Sequence, residues 1–102
     1  MEFLTANDIK TIPSLYGQEG KGKNALAYVK LFTPDSNFTW YITELDLEEK
    51  LCFGLIDGFE KELGYFSLEE LSNIKGNLGL KVERDILFQP TKLKDLGFDD
   101  GE

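Results

Sequence analysis

The sequence predicts an α+β domain, a small antiparallel β-meander with short helices packed on one face or end. Three observations lead there. The 102 residues suit one compact domain. Segments such as "FTWYITEL" alternate apolar and polar residues with the period of two that a half-buried strand needs. Two Ser/Thr-x-x-Asp/Glu patterns, "TAND" and "SLEE", mark short helix starts between those segments.

Taken in order, "LTANDIKTI" reads as an N-terminal helix, capped by Thr5 with Asp8 three residues on and ended by Pro13. Gly17 to Asn24 reads as a mobile loop rich in glycine and lysine. "ALAYVKLFT" is a strand that stops at Pro34, and "PDSN" makes a turn. In "FTWYITEL", Phe38, Trp40 and Ile42 point to one face and Thr39, Tyr41 and Thr43 to the other. Trp40 therefore belongs to the core.

"DLEEK" is an acidic turn into the strand "LCFGLIDG". "FEKELGYF" follows as an irregular hairpin arm, because Gly64 weakens a regular strand. "SLEELSNI" is a helix over 67–74, with Ser67 and Glu70 as its capping box and Gly76 as its stop. "KVERDILF" is a last strand, and "PTKLKDLG" a helical turn capped by Thr91 and ended by Gly97. The whole chain, 1–102, reads as a single domain with a frayed tail at 98–102.

Charge is unevenly placed. The net value is −8, yet residues 1–43 balance to zero, and residues 44–70 hold nine acids against Lys50 and Lys61. Such a surface repels nucleic acid and anionic membrane and attracts basic partners. There is no histidine, which removes His-based acid–base catalysis, the usual nucleophile triads and ordinary Cys/His zinc sites. Cys52, the single cysteine, has no partner for a disulfide within the chain and reads as a small buried hydrophobe. No apolar run is long enough to span a membrane. Together these features place the chain in the cytosol, with no cofactor, no metal and no catalytic residue expected.

One motif argues otherwise. Gly17, Gly22 and Lys23 satisfy most of the phosphate-loop pattern G-x-x-x-x-G-K-[ST], and the apolar run "LCFGLID" ends in an acid as a magnesium-binding strand does. A phosphate loop must follow a buried strand and open a helix, whose free N–H groups hold the phosphates. Here Pro13 precedes the loop and a strand follows it, and Asn24 lacks the hydroxyl that ligates magnesium. The motif is rejected. Paired carboxylates such as Glu44 with Asp57 are abundant, but no spacing selects one pair. Arg84, the only arginine, has the planar fork for a bidentate carboxylate, either as a salt bridge between elements or as a ligand contact.

The blocks "VKLFTPDSNFTWYITELD", "CFGLIDGFEKELGYFSLEEL" and "GNLGLKVERDILFQPTKL" resemble a family of short bacterial proteins catalogued as a domain of unknown function and common on plasmids, conjugative elements and phages. The resemblance covers residues 25 to 96. One member of that family, similar in size, is an anti-CRISPR protein that inhibits the type II RNA-guided DNA nuclease. The resemblance implies a non-enzymatic inhibitor, acting in the bacterial host cytosol by binding a basic nucleic-acid groove. The acidic surface expected to carry that binding is Glu44, Asp46, Glu48, Glu49, Asp57, Glu60 and Glu62, joined into one edge if the strand ends coincide. Two alternatives stand beside it: a mobile-element accessory protein binding another basic partner, and a small carboxylate-based enzyme. A monomer or weak dimer is expected, the dimer through an exposed sheet edge.

Overall fold

The computed structural model describes residues 3–101; Met1, Glu2 and Glu102 lie outside the described residues. Among the described residues there are two antiparallel sheets, of five and two strands, with two short α-helices. The larger sheet holds β2 (Val29–Phe32), β3 (Thr39–Asp46), β4 (Leu51–Asp57), β5 (Lys61–Ser67) and β6 (Glu83–Arg84), in the order β5-β4-β3-β2-β6. Its first four strands form the expected meander. The smaller sheet pairs β1 (Leu26–Ala27) with β7 (Thr91–Lys92). No helix among the described residues is long and apolar enough to cross a membrane.

The large sheet buries both of its faces. Trp40, Ile42, Cys52 and Phe66 share one core with Val29, Leu31, Leu68 and Leu71. Tyr41 and Leu55 point the opposite way, into a second core with Ala25, Ala27 and Leu93. Helical turns therefore lie on both faces rather than one, since Leu93 belongs to a 3₁₀ turn, Leu93–Leu96.

Two breaks in phase make this possible. "ALAYVKLFT" is not one strand: it divides at Tyr28, so that Ala25 and Ala27 serve the second core while Val29 and Leu31 serve the first. In an unbroken strand all four odd positions would share a face. The second break is a bulge in β3. Ile42 pairs with Gly54 but Glu44 pairs with Phe53, leaving Thr43 extra. Leu45 thereby turns into the first core, and Glu44 leaves the face of Trp40 and Ile42.

Helix α1 (Ala6–Thr11) starts as read. Thr5 Oγ1 accepts the Asp8 N–H (3.1 Å), and Asp8 Oδ2 accepts the Thr5 N–H (2.7 Å). Helix α2 (Leu68–Leu71) is shorter than expected. Ser67 caps it, but Ser72 Oγ and Asn73 Nδ2 both donate back to the Glu69 carbonyl, closing the turn early.

Strand β5 is regular, paired with β4 from Leu51↔Ser67 to Asp57↔Lys61. The irregular arm expected from Gly64 is absent because Gly64 lies opposite Gly54 within the ladder. Gly54 is glycine for a reason of space: a Cβ there would stand 1.8 Å from the Tyr41 carbonyl oxygen. The last strand is only β6, because Asp85 folds "DILF" into a turn, its Oδ1 accepting the Leu87 N–H (3.0 Å) and its carbonyl the Phe88 N–H (3.2 Å).

The C-terminal turn ends at Gly97, with φ of 87°. Thr91 does not cap it; it lies in β7 and donates its hydroxyl to the Gln89 carbonyl (2.6 Å). The segment after Gly97, read as frayed, makes specific contacts as far as Asp100. Phe98 packs on the second core, and Asp100 Oδ2 accepts the Lys23 N–H (2.9 Å).

Candidate functional site

The bulge at Thr43 builds a site beneath the glycine-rich loop. Glu44, redirected by one position, becomes a buried carboxylate at 5% exposure. Its Oε1 accepts the Tyr16 N–H (2.7 Å) and its Oε2 the Gln18 N–H (2.9 Å). Gln18 is buried beside it. Its amide nitrogen donates to the carbonyls of Leu26 and Thr43 (2.8 Å each), and its oxygen accepts the Leu26 N–H (2.7 Å). These five bonds fix the glycine-rich segment, so the loop expected to be mobile is sewn to the sheet. They also hold Tyr16 at φ of 71°, a left-handed backbone costly for a non-glycine residue.

Between this loop and the sheet lies a cavity of about 390 Å³. Glu44, Phe53 and Tyr65, from β3, β4 and β5, occupy one register row of the sheet and line it. Tyr16, Glu19 and Gly20 come from the loop, and Asp100 from the C-terminal segment. The Phe53 and Tyr65 rings meet edge to face with centroids 4.9 Å apart. The Tyr65 phenol titrates above its ordinary value, through the Tyr16 hydroxyl first, then desolvation, then the charges of Tyr16, Glu44 and Glu19. No lysine or arginine is among the described lining residues.

The near-match to a phosphate loop acquires its explanation here. "GQEGKG" is a cavity wall, but Glu19, Glu44 and Asp100 give the cavity the wrong charge for a phosphate. Only a 3₁₀ turn, Gly22–Asn24, follows the loop before β1.

The seven acids read as one edge are divided by the topology. Asp46, Glu48 and Glu49 belong to the β3–β4 turn, whereas Asp57, Glu60 and Glu62 cluster at the β4–β5 hairpin. β4 runs between the two sets, so about 20 Å separates them at ~3.4 Å per residue. They are not one edge. Glu44 is buried beneath the loop rather than part of an exposed rim, and it lies about 13 Å along the sheet from the Asp57 position. That separation removes the Glu44–Asp57 pair as a shared site. Asp46 Oδ1 accepts the Glu49 N–H (3.3 Å) and shapes the turn, while Glu48 and Glu49 face solvent.

Arg84 is used in a salt bridge. Its guanidinium forks onto both oxygens of Asp8, with Nη2 to Oδ1 at 3.1 Å, and Nη1 also reaches the Phe3 carbonyl (2.9 Å). Cys52 is fully buried, and burial pushes its thiol up to about 12. No group of three or more metal-ligating side chains exists among the described residues.

Sequence reasoning passed over Tyr16, Gln18, Glu19, Tyr65 and Asp100. The density of glycine from Gly17 to Gly22 was the available signal, since it announces unusual backbone. Nothing in the local pattern announces the bulge that brings Glu44 beneath it.

Fold and site together define a small α+β domain with an acidic, aromatic-walled cavity over one face of its sheet. The chain belongs to the DUF2958 family, proteins of unknown function, which matches it over residues 4–96. No curated protein and no solved structure matches it.

Proposed function

We propose that this chain acts by binding a basic protein, without catalysis, through the acidic β3–β4 turn. The observation that carries the proposal is the state of Asp46, Glu48 and Glu49: three carboxylates within four residues, none in an ion pair with a base of the chain among the described residues. Charge that is not neutralised internally is available to a partner. The resemblance to a family with an anti-CRISPR member supports a type II RNA-guided DNA nuclease as that partner. Such a nuclease carries lysine- and arginine-lined channels for guide and target. Carboxylates placed in a channel substitute for phosphates, and the contact weakens as salt rises. Asp57, Glu60 and Glu62, at the far end of the sheet, belong to a separate patch.

The test is DNA cleavage by purified type II nuclease, with this protein added before or after guide loading, at low and high salt. Inhibition that fades with salt and is abolished by the triple reversal D46K/E48K/E49K, with the fold retained, is the expected result. Inhibition untouched by that reversal would remove the turn as the contact. No inhibition across several orthologues, with capture of a different basic protein through the same turn, would favour an accessory role on a mobile element.

A further inference from the structure

The cavity over Glu44 has a chemistry of its own. A carboxylate at 5% exposure normally has a cation beside it. Glu44 has two backbone N–H donors, and no Lys or Arg nitrogen lies within 4.0 Å among the described residues. Those donors support a negative charge without cancelling it, and each oxygen retains a second lone pair. Glu19 adds a second carboxylate to the same cavity, and Tyr16 and Tyr65, 65% and 50% exposed, stand at its mouth.

These features discriminate among ligand classes. An anion would meet carboxylates on two sides. A neutral apolar ligand would desolvate Glu44 further and return no hydrogen bond. A cation with an apolar stem satisfies every lining group: its head donates charge-assisted bonds to Glu44, and its stem lies against aromatic rings that also attract positive charge. About 390 Å³ is room for a group of that size. The geometry points to a binding site for an organic cation, a guanidinium or alkylammonium head seated on Glu44 with its stem against Tyr16 and Tyr65. The head belongs either to an arginine or lysine side chain of a protein or to a free polyamine. The inference stands on the cavity alone. A chain that takes the cation but inhibits no nuclease keeps this site and loses the proposal above.

The experiment is an NMR amide titration of the full chain at low salt with three probes: N-acetyl-arginine amide, its uncharged isostere N-acetyl-citrulline amide, and spermidine. Arginine amide should shift the Tyr16, Gln18 and Tyr65 amides at millimolar concentration, and citrulline amide should bind at least about tenfold more weakly. Glu44→Gln should weaken the arginine probe by about tenfold or more. Because E44Q also disturbs the loop, Glu19→Gln and Tyr65→Ala, both at exposed positions, serve as second variants. Each should weaken binding about threefold or more while amide shifts away from the cavity keep their native positions, E19Q with an unchanged melting curve and Y65A with only the small loss of its Phe53 ring contact. E48Q/E49Q should leave it within about twofold. Tighter binding of arginine amide than of spermidine assigns the cavity to a protein side chain, and the reverse order assigns it to a free polyamine. Equal binding of citrulline amide, shifts confined to the Glu48–Glu49 turn, or affinity unchanged in both E19Q and Y65A would each overturn the site.

Discussion

Asp8 and Arg84, 76 positions apart, close the fold through a bidentate ion pair in which Asp8 also accepts the Thr5 N–H that starts helix α1. One carboxylate thus fixes a helix start and ties it to the strand at the far edge of the sheet. Removing one partner orphans the other in a largely buried setting. Asp8→Ala or Arg84→Ala should each lower stability by about 2 kcal/mol, measured by urea unfolding. Arg84→Lys should recover only part of this, because an ammonium cannot span both oxygens.

Acid should weaken the same tie. Burial alone would raise the Asp8 pKa, but the Arg84 and Thr5 hydrogen bonds and the Arg84 charge outweigh it and hold it below the ordinary 3.8. A depressed native pKa contributes stability that is complete above the unfolded value and is lost as pH falls through the native one. Unfolding free energy should therefore decline below about pH 4, and the decline should be shallower in Asp8→Asn. An identical acid profile in that variant would show that other carboxylates govern acid unfolding.

Cys52 gives a probe of the opposite sign. Its thiol, pushed up to about 12 from 9.0 by burial, stays protonated in the fold. That contribution is complete below the unfolded pKa and is lost as pH rises from 9 toward 12. At pH 8 the folded chain should not react with iodoacetamide, and labelling should appear only as urea unfolds it. Fast labelling without denaturant would contradict a closed core.

Gly54 is the position of least tolerance in the sheet. Its missing Cβ would press on backbone, the Tyr41 carbonyl, and backbone cannot rotate aside as a side chain can. Gly54→Ala should cost about 3 kcal/mol. Gly64→Ala, whose Cβ would meet only the end of the Ile56 side chain at 3.3 Å, should cost far less. Thermal melts of the two variants check the contrast.

Gln18 is a buried polar side chain with all three of its described bonds to backbone. Gln18→Ala leaves three main-chain groups short of a partner, for a loss of about 2–3 kcal/mol. Its amide signals and those of Tyr16 should move furthest, which heteronuclear NMR would show.

What local pattern could and could not convey follows from these residues. Thr5, Asp8, Ser67 and Gly97 were legible because capping chemistry is local: donor and acceptor lie within three or four residues of one another. Trp40 and Ile42 were legible because alternation reports a face directly. Alternation fails where its phase changes, at Tyr28 and Thr43. A bulge is stabilised by partners distant in sequence, here Gly54 on the neighbouring strand and the loop that Glu44 holds. For the same reason Glu44 counted among the surface acids. The division of the acids between two sheet ends followed from strand order, which composition does not carry.

Tyr16 and Gln18 lie in a loop by shape, but their N–H groups end on a carboxylate that is anchored inside a strand. Solvent deuterium should therefore reach these two amides only when the middle of the sheet opens, on the timescale of Leu55 rather than of the neighbouring turns. Trypsin, with Lys21 and Lys23 close at hand, should find the segment protected for the same reason. In kinetic terms the glycine-rich segment is part of the sheet.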